Sequence, residues 1–319
     1  TSAFYDGHCG LSFSVFMREV TNGLKRLGKI RTSETYTSTL NSFMRFMEGR
    51  DIPPCDMDSD LMTAYEAWLR SKEISMNTIS FYMRILRATY NRAVEKGLVT
   101  QRFPFKHVYT GVERTTKRAV PLRVIKQLRT LDLSLHPAKR FARDMLLFSF
   151  YTRGMSMVDM AFLRKKDLAN GILTYRRKKT GQQLFVKWEP CMQEIINRYR
   201  SDGSDYVFPF LTSQDEDTAY REYKRKFSYY NKTLKTLGKL AGVDKPLSSY
   251  VARHTWATLA FMSSVDMSVI AQALGHTDVK TTRIYVEDIG NGKQNSANKK
   301  LLNEVLRKRS SVQEVTSVQ

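Results

Sequence analysis

The chain has 319 residues, long enough for two domains that each bury a core. Its 52 Lys and Arg against 31 Asp and Glu give a formal net charge of +21, yet 42% of the residues are hydrophobic. That excludes a disordered basic tail and asks for a polyanionic partner, nucleic acid first, because neutralised phosphates release condensed counterions. A membrane is disfavoured, since there is no lipidation motif, no basic amphipathic helix with a bulky apolar face, and no apolar run near the roughly 18 residues a span requires.

From residue 11 to about residue 98 the pattern is helical. Phe13, Phe16, Val20 and Leu24 line one face of a first helix, and Tyr36, Leu40, Phe43 and Met47 line a second that Gly49 ends. The turn DIPPCDMDSD offers N-caps within residues 58–60 for a third helix carrying Met62, Tyr65 and Leu69. A fourth starts at Ser75 or Asn77, stops at Gly97, and sets Arg84, Arg87 and Arg92 beside Tyr82 and Tyr90. Residues 1–100 are therefore read as a four-helix domain, with those arginines as either DNA contacts or a solvated cationic face.

Residues 101–118 show no period. They end in ERTTKR and are read as a basic linker whose Lys117 and Arg118 can follow a phosphate backbone. Helices are expected at 121–131 and 137–151, the latter with Phe141, Met145 and Phe148 on its stripe, followed by a short one before Leu163. The period then changes: GILTYRRKKTGQQLFVKWEP reads as a hairpin turning at Thr180 and Gly181. Helices return at 190–199, at 217–240, from about 249 to Met262, at 266–274, and in a last short segment, so 119–295 is a helical domain with a small sheet. Within the tail, 296–319, LLNEVL is amphipathic and can pack on its own domain or on a neighbour.

Cys9, Cys55 and Cys191 are far apart, form no CxxC, and are expected to be reduced thiols of a cytoplasmic protein. There is no HExxH and no clustered Asp and Glu, which disfavours a metal nuclease. His8, His107 and His136 have no partners at ligand spacing.

In order along the second half stand FSFYTRGMSMVDMAFLRKKDL, RRKKTGQQ, SSYVARHTWATLA and LGHTDVKTTRIYV. Their order and spacing resemble the sequence boxes of the tyrosine recombinases, the phage-integrase-like family, and the helical first domain is similar to that family's core-binding domain. The resemblance implies a mainly α fold with a small β-sheet, an N-terminal core-binding domain and a C-terminal α+β catalytic domain of the DNA-breaking-rejoining type. It also implies covalent phosphoryl transfer on double-stranded DNA carrying paired recombination sites, with no cofactor. Four copies would act together at synapsis, an accessory DNA-bending protein can assist, and the protein would work at the nucleoid.

By that resemblance Tyr285 is the nucleophile. A free phenol has a pKa of about 10, so about one in a thousand is ionised at pH 7, a deficit near 4 kcal/mol that nearby cations must offset. Arg153 and Arg253 match the two arginines that clamp the scissile phosphate, a task suited to a planar fork that stays charged. Asp159 offers Arg153 an ordinary salt bridge instead. Lys179 matches the hairpin lysine that protonates the departing 5′ oxygen, with Lys178 as its rival. Arg176 and Arg177 are read as phosphate contacts or surface charge.

His276 matches the histidine of the LGH box, set at a break by Gly275. Tyr250 stands where the family has a histidine, three residues before Arg253, so the usual proton acceptor is missing there. His254 lies about 40° around the helix from Tyr250 and is read as a packing or hydrogen-bonding residue.

Only about ten residues precede the first helix, so no separate arm-binding domain is expected in this chain, which favours a simple recombinase or invertase. Two alternatives stay open, a type IB topoisomerase-like enzyme and a non-catalytic DNA-binding protein on the same scaffold. The sequence does not distinguish integration, excision and inversion.

Overall fold

The computed structural model describes residues 11–113, 118–199 and 203–284. The chain divides into two compact units, 1–115 and 116–319.

The first unit holds α1 (Phe13–Arg26), α2 (Ile30–Phe46), α3 (Ser59–Ser71) and α4 (Met76–Glu95). Ser12 opens α1 by accepting from the Val15 amide, and Asp58 opens α3 by accepting from the Leu61 amide at 2.8 Å, so short polar side chains set both starts. Phe13, Phe43 and Tyr65 meet edge to face at 6.0 and 5.3 Å in the core, and the Tyr65 hydroxyl donates to Ser42 Oγ at 2.8 Å. On α4 the residues Ile79, Met83, Leu86 and Tyr90 turn inward, leaving Arg84, Arg87 and Arg92 exposed. Tyr90 is therefore core, and its hydroxyl donates to the Thr100 carbonyl.

The stretch expected to be a linker is not an open tether over its first half. Phe105 and Val108 are buried in the first unit's core, and the Tyr109 amide donates to Glu66 Oε2 at 2.7 Å. Asn77 then exchanges two hydrogen bonds, each 2.9 Å, with the backbone of Glu113. The segment lacks a period because single aromatic and side-chain contacts, not a repeating face, hold it down. Arg118 is exposed, and Lys117 lies outside the described residues.

In the second unit come α5 (Leu122–Thr130), α6 (Pro137–Tyr151), α7 (Met157–Ala161), β1 (Leu168–Ala169), β2 (Ile172–Arg176), β3 (Gln183–Lys187), α8 (Pro190–Arg198), α9 (Glu216–Leu240), α10 (Val251–Met262), α11 (Met267–Leu274) and α12 (Val279–Arg283). The expected hairpin is β2 and β3, paired antiparallel from Ile172 with Lys187 to Arg176 with Gln183. The short β1 extends it to a three-stranded sheet, an element too brief to leave a period-2 signature. Leu173 and Tyr175 on β2 and Leu184 and Val186 on β3 face the core.

Instead of showing the single apolar stripe expected of it, α6 is buried over 142–149 and packs against α5, α8, α9 and α10. Its position at the centre brings two charged residues inside. Asp144 accepts from Arg143 Nε at 2.7 Å, from Arg198 Nη1 at 2.6 Å and from the Tyr199 hydroxyl at 2.7 Å. Arg143 also donates to the Leu131 carbonyl at 2.8 Å, so the network ties α6 to the end of α5 and to α8.

The expectation of three reduced thiols is corrected at Cys55, which is disulfide-bonded, and Cys9 lies outside the described residues. Cys191 is free and partly buried. Among the described residues no helix is long and apolar enough to cross a membrane.

Replacing Asp144 with Asn removes the charge that Arg143 and Arg198 share inside the unit. Urea unfolding of Asp144→Asn should show a loss of roughly 3–5 kcal/mol, the cost of leaving a buried charge unpaired. A loss within experimental error would show that the network is not needed.

Candidate active site

The site is built around two helix ends. Residue 152 closes α6, after which Arg153 takes a left-handed φ of 60° and Gly154 one of 82°. The Gly154 amide donates back to the Ser149 carbonyl at 2.7 Å. A left-handed residue with a Cβ costs about 1–2 kcal/mol, so Arg153 is held there by its surroundings. Gly154 is required by close approach, since a Cβ on it would lie 2.6 Å from the Cα of Arg253.

The second end is that of α11. Gly275 adopts φ 64°, and the following His276 amide donates to the Ala271 carbonyl at 2.9 Å, the left-handed stop that exposes the helix's last carbonyls. Two arginines take those carbonyls. Arg253 on α10, 3% exposed, donates through Nη2 to Leu274 and through Nη1 to Gly154 at 3.0 Å. Arg177, 5% exposed at the base of the hairpin, donates through Nη1 to Gly275 at 2.6 Å.

Of the two sequence readings of Arg177, phosphate contact or surface charge, its burial removes the second. A run of consecutive polar residues gives no sign that one of them folds inward at a turn. Its burial, and then the charge of Arg253, push its guanidinium below the usual range. Space for it exists because residue 275 lacks a side chain: a Cβ there would stand 2.9 Å from Arg177 Cδ.

His276 sits between these cations, with Nε2 3.0 Å from Arg253 Nη2 and Nδ1 2.8 Å from Thr282 Oγ1 on α12. Burial first, then Arg253, Arg177 and Lys179, pull its pKa from 6.5 down to about 4, so the imidazole is neutral at pH 7. None of Arg153, Arg177 and Arg253 has a salt bridge among the described residues. The Asp159 carboxylate, proposed as a partner for Arg153, instead accepts from the Ser156 hydroxyl at 2.6 Å and from the Lys178 amide at 2.8 Å. Arg153 reaches the Phe185 carbonyl at 3.4 Å.

The hairpin turn is closed by the Gly181 amide donating to the Arg177 carbonyl at 2.8 Å, and Arg176 braces it by donating to the Gly181 carbonyl at 3.0 Å. The two lysines at its tip differ. Lys178 holds its ammonium 4.0 Å from the centre of the Phe162 ring, whereas the exposed Lys179 is the one whose charge reaches His276. Tyr250 precedes α10, its ring 5.5 Å from that of His254, and it lies within electrostatic range of Arg177. Tyr285 lies outside the described residues, as does LLNEVL; α12 ends two residues short of the tyrosine.

Tyr175 and Thr282 belong to the site although the sequence did not mark them. Tyr175 is buried among Asp159, Arg253, Arg177 and Arg153, and burial pushes its phenol pKa upward. Its only signal was the inward phase of β2. Thr282 is fully buried, and a threonine in a short polar helix looks like any surface residue. Among the described residues no group of three or more His, Cys, Asp or Glu is placed to hold a metal ion.

Family models match almost the whole described chain. The phage integrase SAM-like domain matches residues 12–108, and the phage integrase family matches residues 123–289, which contain every element of this site. The chain belongs to the phage integrase family. Its activity is accordingly the tyrosine-recombinase type of site-specific DNA breaking and rejoining. Relatives of this integrase-family chain include tyrosine recombinase XerA of Pyrococcus furiosus, 25% identical with 85% of this chain and 89% of the relative covered. Tyrosine recombinase XerD of Pseudomonas putida is 23% identical, with 80% and 85% covered. The fold matches that of lambda integrase in a tetramer bound to a Holliday junction, with a TM-score of 0.65 at 15% identity over 86% of this chain and 77% of that one.

The imidazole's environment sets a pH dependence. Unfolded, His276 binds its proton near pH 6.5; folded, it does so near 4, so between those values the unfolded chain holds more protons. Its contribution to stability is complete above 6.5 and is lost as pH falls through 4. An NMR titration of the imidazole Cε1 proton, assigned with His276→Gln, should give a midpoint near 4; an ordinary midpoint would contradict the buried geometry.

Proposed function

We propose that Tyr285 is the nucleophile of a site-specific recombination reaction, with Arg153 and Arg253 on the non-bridging phosphate oxygens, Lys179 as the general acid, Tyr250 hydrogen-bonding at the phosphate, and His276 doing so through Nε2 once that nitrogen has taken up a proton. The observation that carries this reading is the buried pair Arg253 and Arg177, held on backbone carbonyls beside a neutral imidazole with no carboxylate among the described residues bound to either. Taking such charges out of water costs several kcal/mol per ion, and an incoming phosphate supplies the missing counter-charge.

In the reaction the phenol of Tyr285 gives its proton to the neutral imidazole of His276 or to water, and its oxygen bonds to phosphorus. The bond from phosphorus to the 5′ oxygen breaks, and Lys179 gives that oxygen a proton. A 3′-phosphotyrosyl link stores the bond energy, and the 5′ hydroxyl of a partner strand reverses the step, so no nucleotide cofactor is required. The two arginines suit the pentacoordinate transition state because they are fixed before charge develops.

Double-stranded DNA with paired sites would be bound by the exposed Arg84, Arg87 and Arg92 of the first unit, with Lys117, Arg118, Arg176 and Lys178 adding phosphate contacts. Four copies at synapsis fit the lambda integrase tetramer on a Holliday junction, whose fold this chain shares. The protein would act in the cytoplasm at the nucleoid, with an accessory DNA-bending protein where a site requires one.

On a nicked suicide substrate carrying the protein's own site, the wild type should form an SDS-resistant adduct and Tyr285→Phe none. Arg253→Lys should slow adduct formation about 100- to 1,000-fold, as for loss of one transition-state donor. Lys179→Ala should be slow on ordinary DNA but near wild type when the departing 5′ oxygen is replaced by sulfur, which leaves without a proton. No wild-type adduct, or an adduct in Tyr285→Phe, would overturn the assignment.

A further inference from the structure

The contacts of His276 determine which nitrogen carries its proton. A guanidinium has donors and no acceptor, so the 3.0 Å approach of Arg253 Nη2 to Nε2 requires a lone pair on Nε2. In a neutral imidazole the proton is then on Nδ1, and Thr282 Oγ1, 2.8 Å away, accepts it. Thr282 itself is fully buried, so its hydroxyl is held in place beside the ring.

We propose that Thr282 is a positioning residue for strand cleavage, holding His276 in its Nδ1–H tautomer so that Nε2 presents a lone pair on the Arg253 side. The inference rests on the recombinase reading of the site. Without the threonine hydroxyl, Nδ1–H loses that acceptor. The opposite tautomer sets Nε2–H against a guanidinium N–H, two donors facing each other. Either outcome disturbs the arginine that is shared with the Leu274 and Gly154 carbonyls.

The same bond joins two elements. His276 follows the stop of α11, and Thr282 lies on α12, three residues before Tyr285 in the sequence. A proton taken up by the imidazole during the reaction enters at Nε2, since Nδ1 already carries one, and it displaces the Arg253 contact without loosening the bond to α12. The threonine therefore separates the protonation state of the ring from its orientation.

The test uses the full chain with ¹⁵N-labelled histidine, and Thr282→Val and Thr282→Ser beside the wild type. Imidazole ¹⁵N shifts, assigned with His276→Gln, should report the Nδ1–H tautomer in the wild type and in Thr282→Ser, and its loss in Thr282→Val. Adduct formation should fall roughly ten- to a hundredfold in Thr282→Val, the range seen when partners that orient a histidine are removed, and return in Thr282→Ser. An Nε2–H tautomer in the wild type overturns the proposal even if Thr282→Val does not fold. So does a Thr282→Val protein with wild-type shifts and rate, or a Thr282→Ser protein as slow as Thr282→Val, which would make the methyl group the cause. A wild type that forms no adduct overturns the recombinase reading instead, and the ¹⁵N shifts still decide the tautomer.

Discussion

Two guanidinium groups are buried on the last carbonyls of a single helix, and the rest of the catalytic unit is arranged to keep them there. The C-terminus of α11 bears the partial negative charge of its helix dipole, which together with Leu274 and Gly275 gives Arg253 and Arg177 acceptors without neutralising them. A carboxylate in the same place would have been the cheaper partner and would also have filled the seat that a phosphate needs. Asp159 is near enough to act electrostatically on Arg177, but its oxygens are occupied by Ser156 and the Lys178 amide.

That constraint explains several choices that look local. Gly154 and Gly275 both lack a Cβ where an arginine's stem passes, and both hold left-handed backbone. The hairpin is attached to α11 through Arg177, so the lysine tip and the histidine turn belong to one framework. His276 stays neutral because it is buried and three cations surround it. An approaching phosphate opposes those charges and raises the proton affinity of the ring, which couples substrate arrival to the protonation of the site.

Much of this was legible in the sequence. Helix limits followed from caps and periodicity, as at Gly275 and, among the alternatives open in the sequence, at Asp58 and Ser75, and the four boxes named residues that the structure brought together: Arg253, His276 and, through its charge, Lys179. What stayed hidden had no periodic or motif signal. Arg177 sits in a run of four cations and differs from Arg176 only in which way the turn points it. The polar centre of α6 was masked by its apolar stripe, because a helix buried on all sides shows the same spacing as one buried on a single face. Phe105 and Val108 fix the stretch after α4 by isolated contacts, which no spacing rule detects.

The arginines are fixed on their carbonyls before DNA arrives and are not assembled by it. The most direct test of this is the structure of this chain on a nicked DNA site with the scissile phosphate in place. Arg253 should keep its bonds to Gly154 and Leu274 and Arg177 its bond to Gly275, while a phosphate oxygen takes the Arg253 Nε–H, which has no acceptor among the described residues. A phosphate bound elsewhere, or arginines that leave those carbonyls to reach it, would contradict the account.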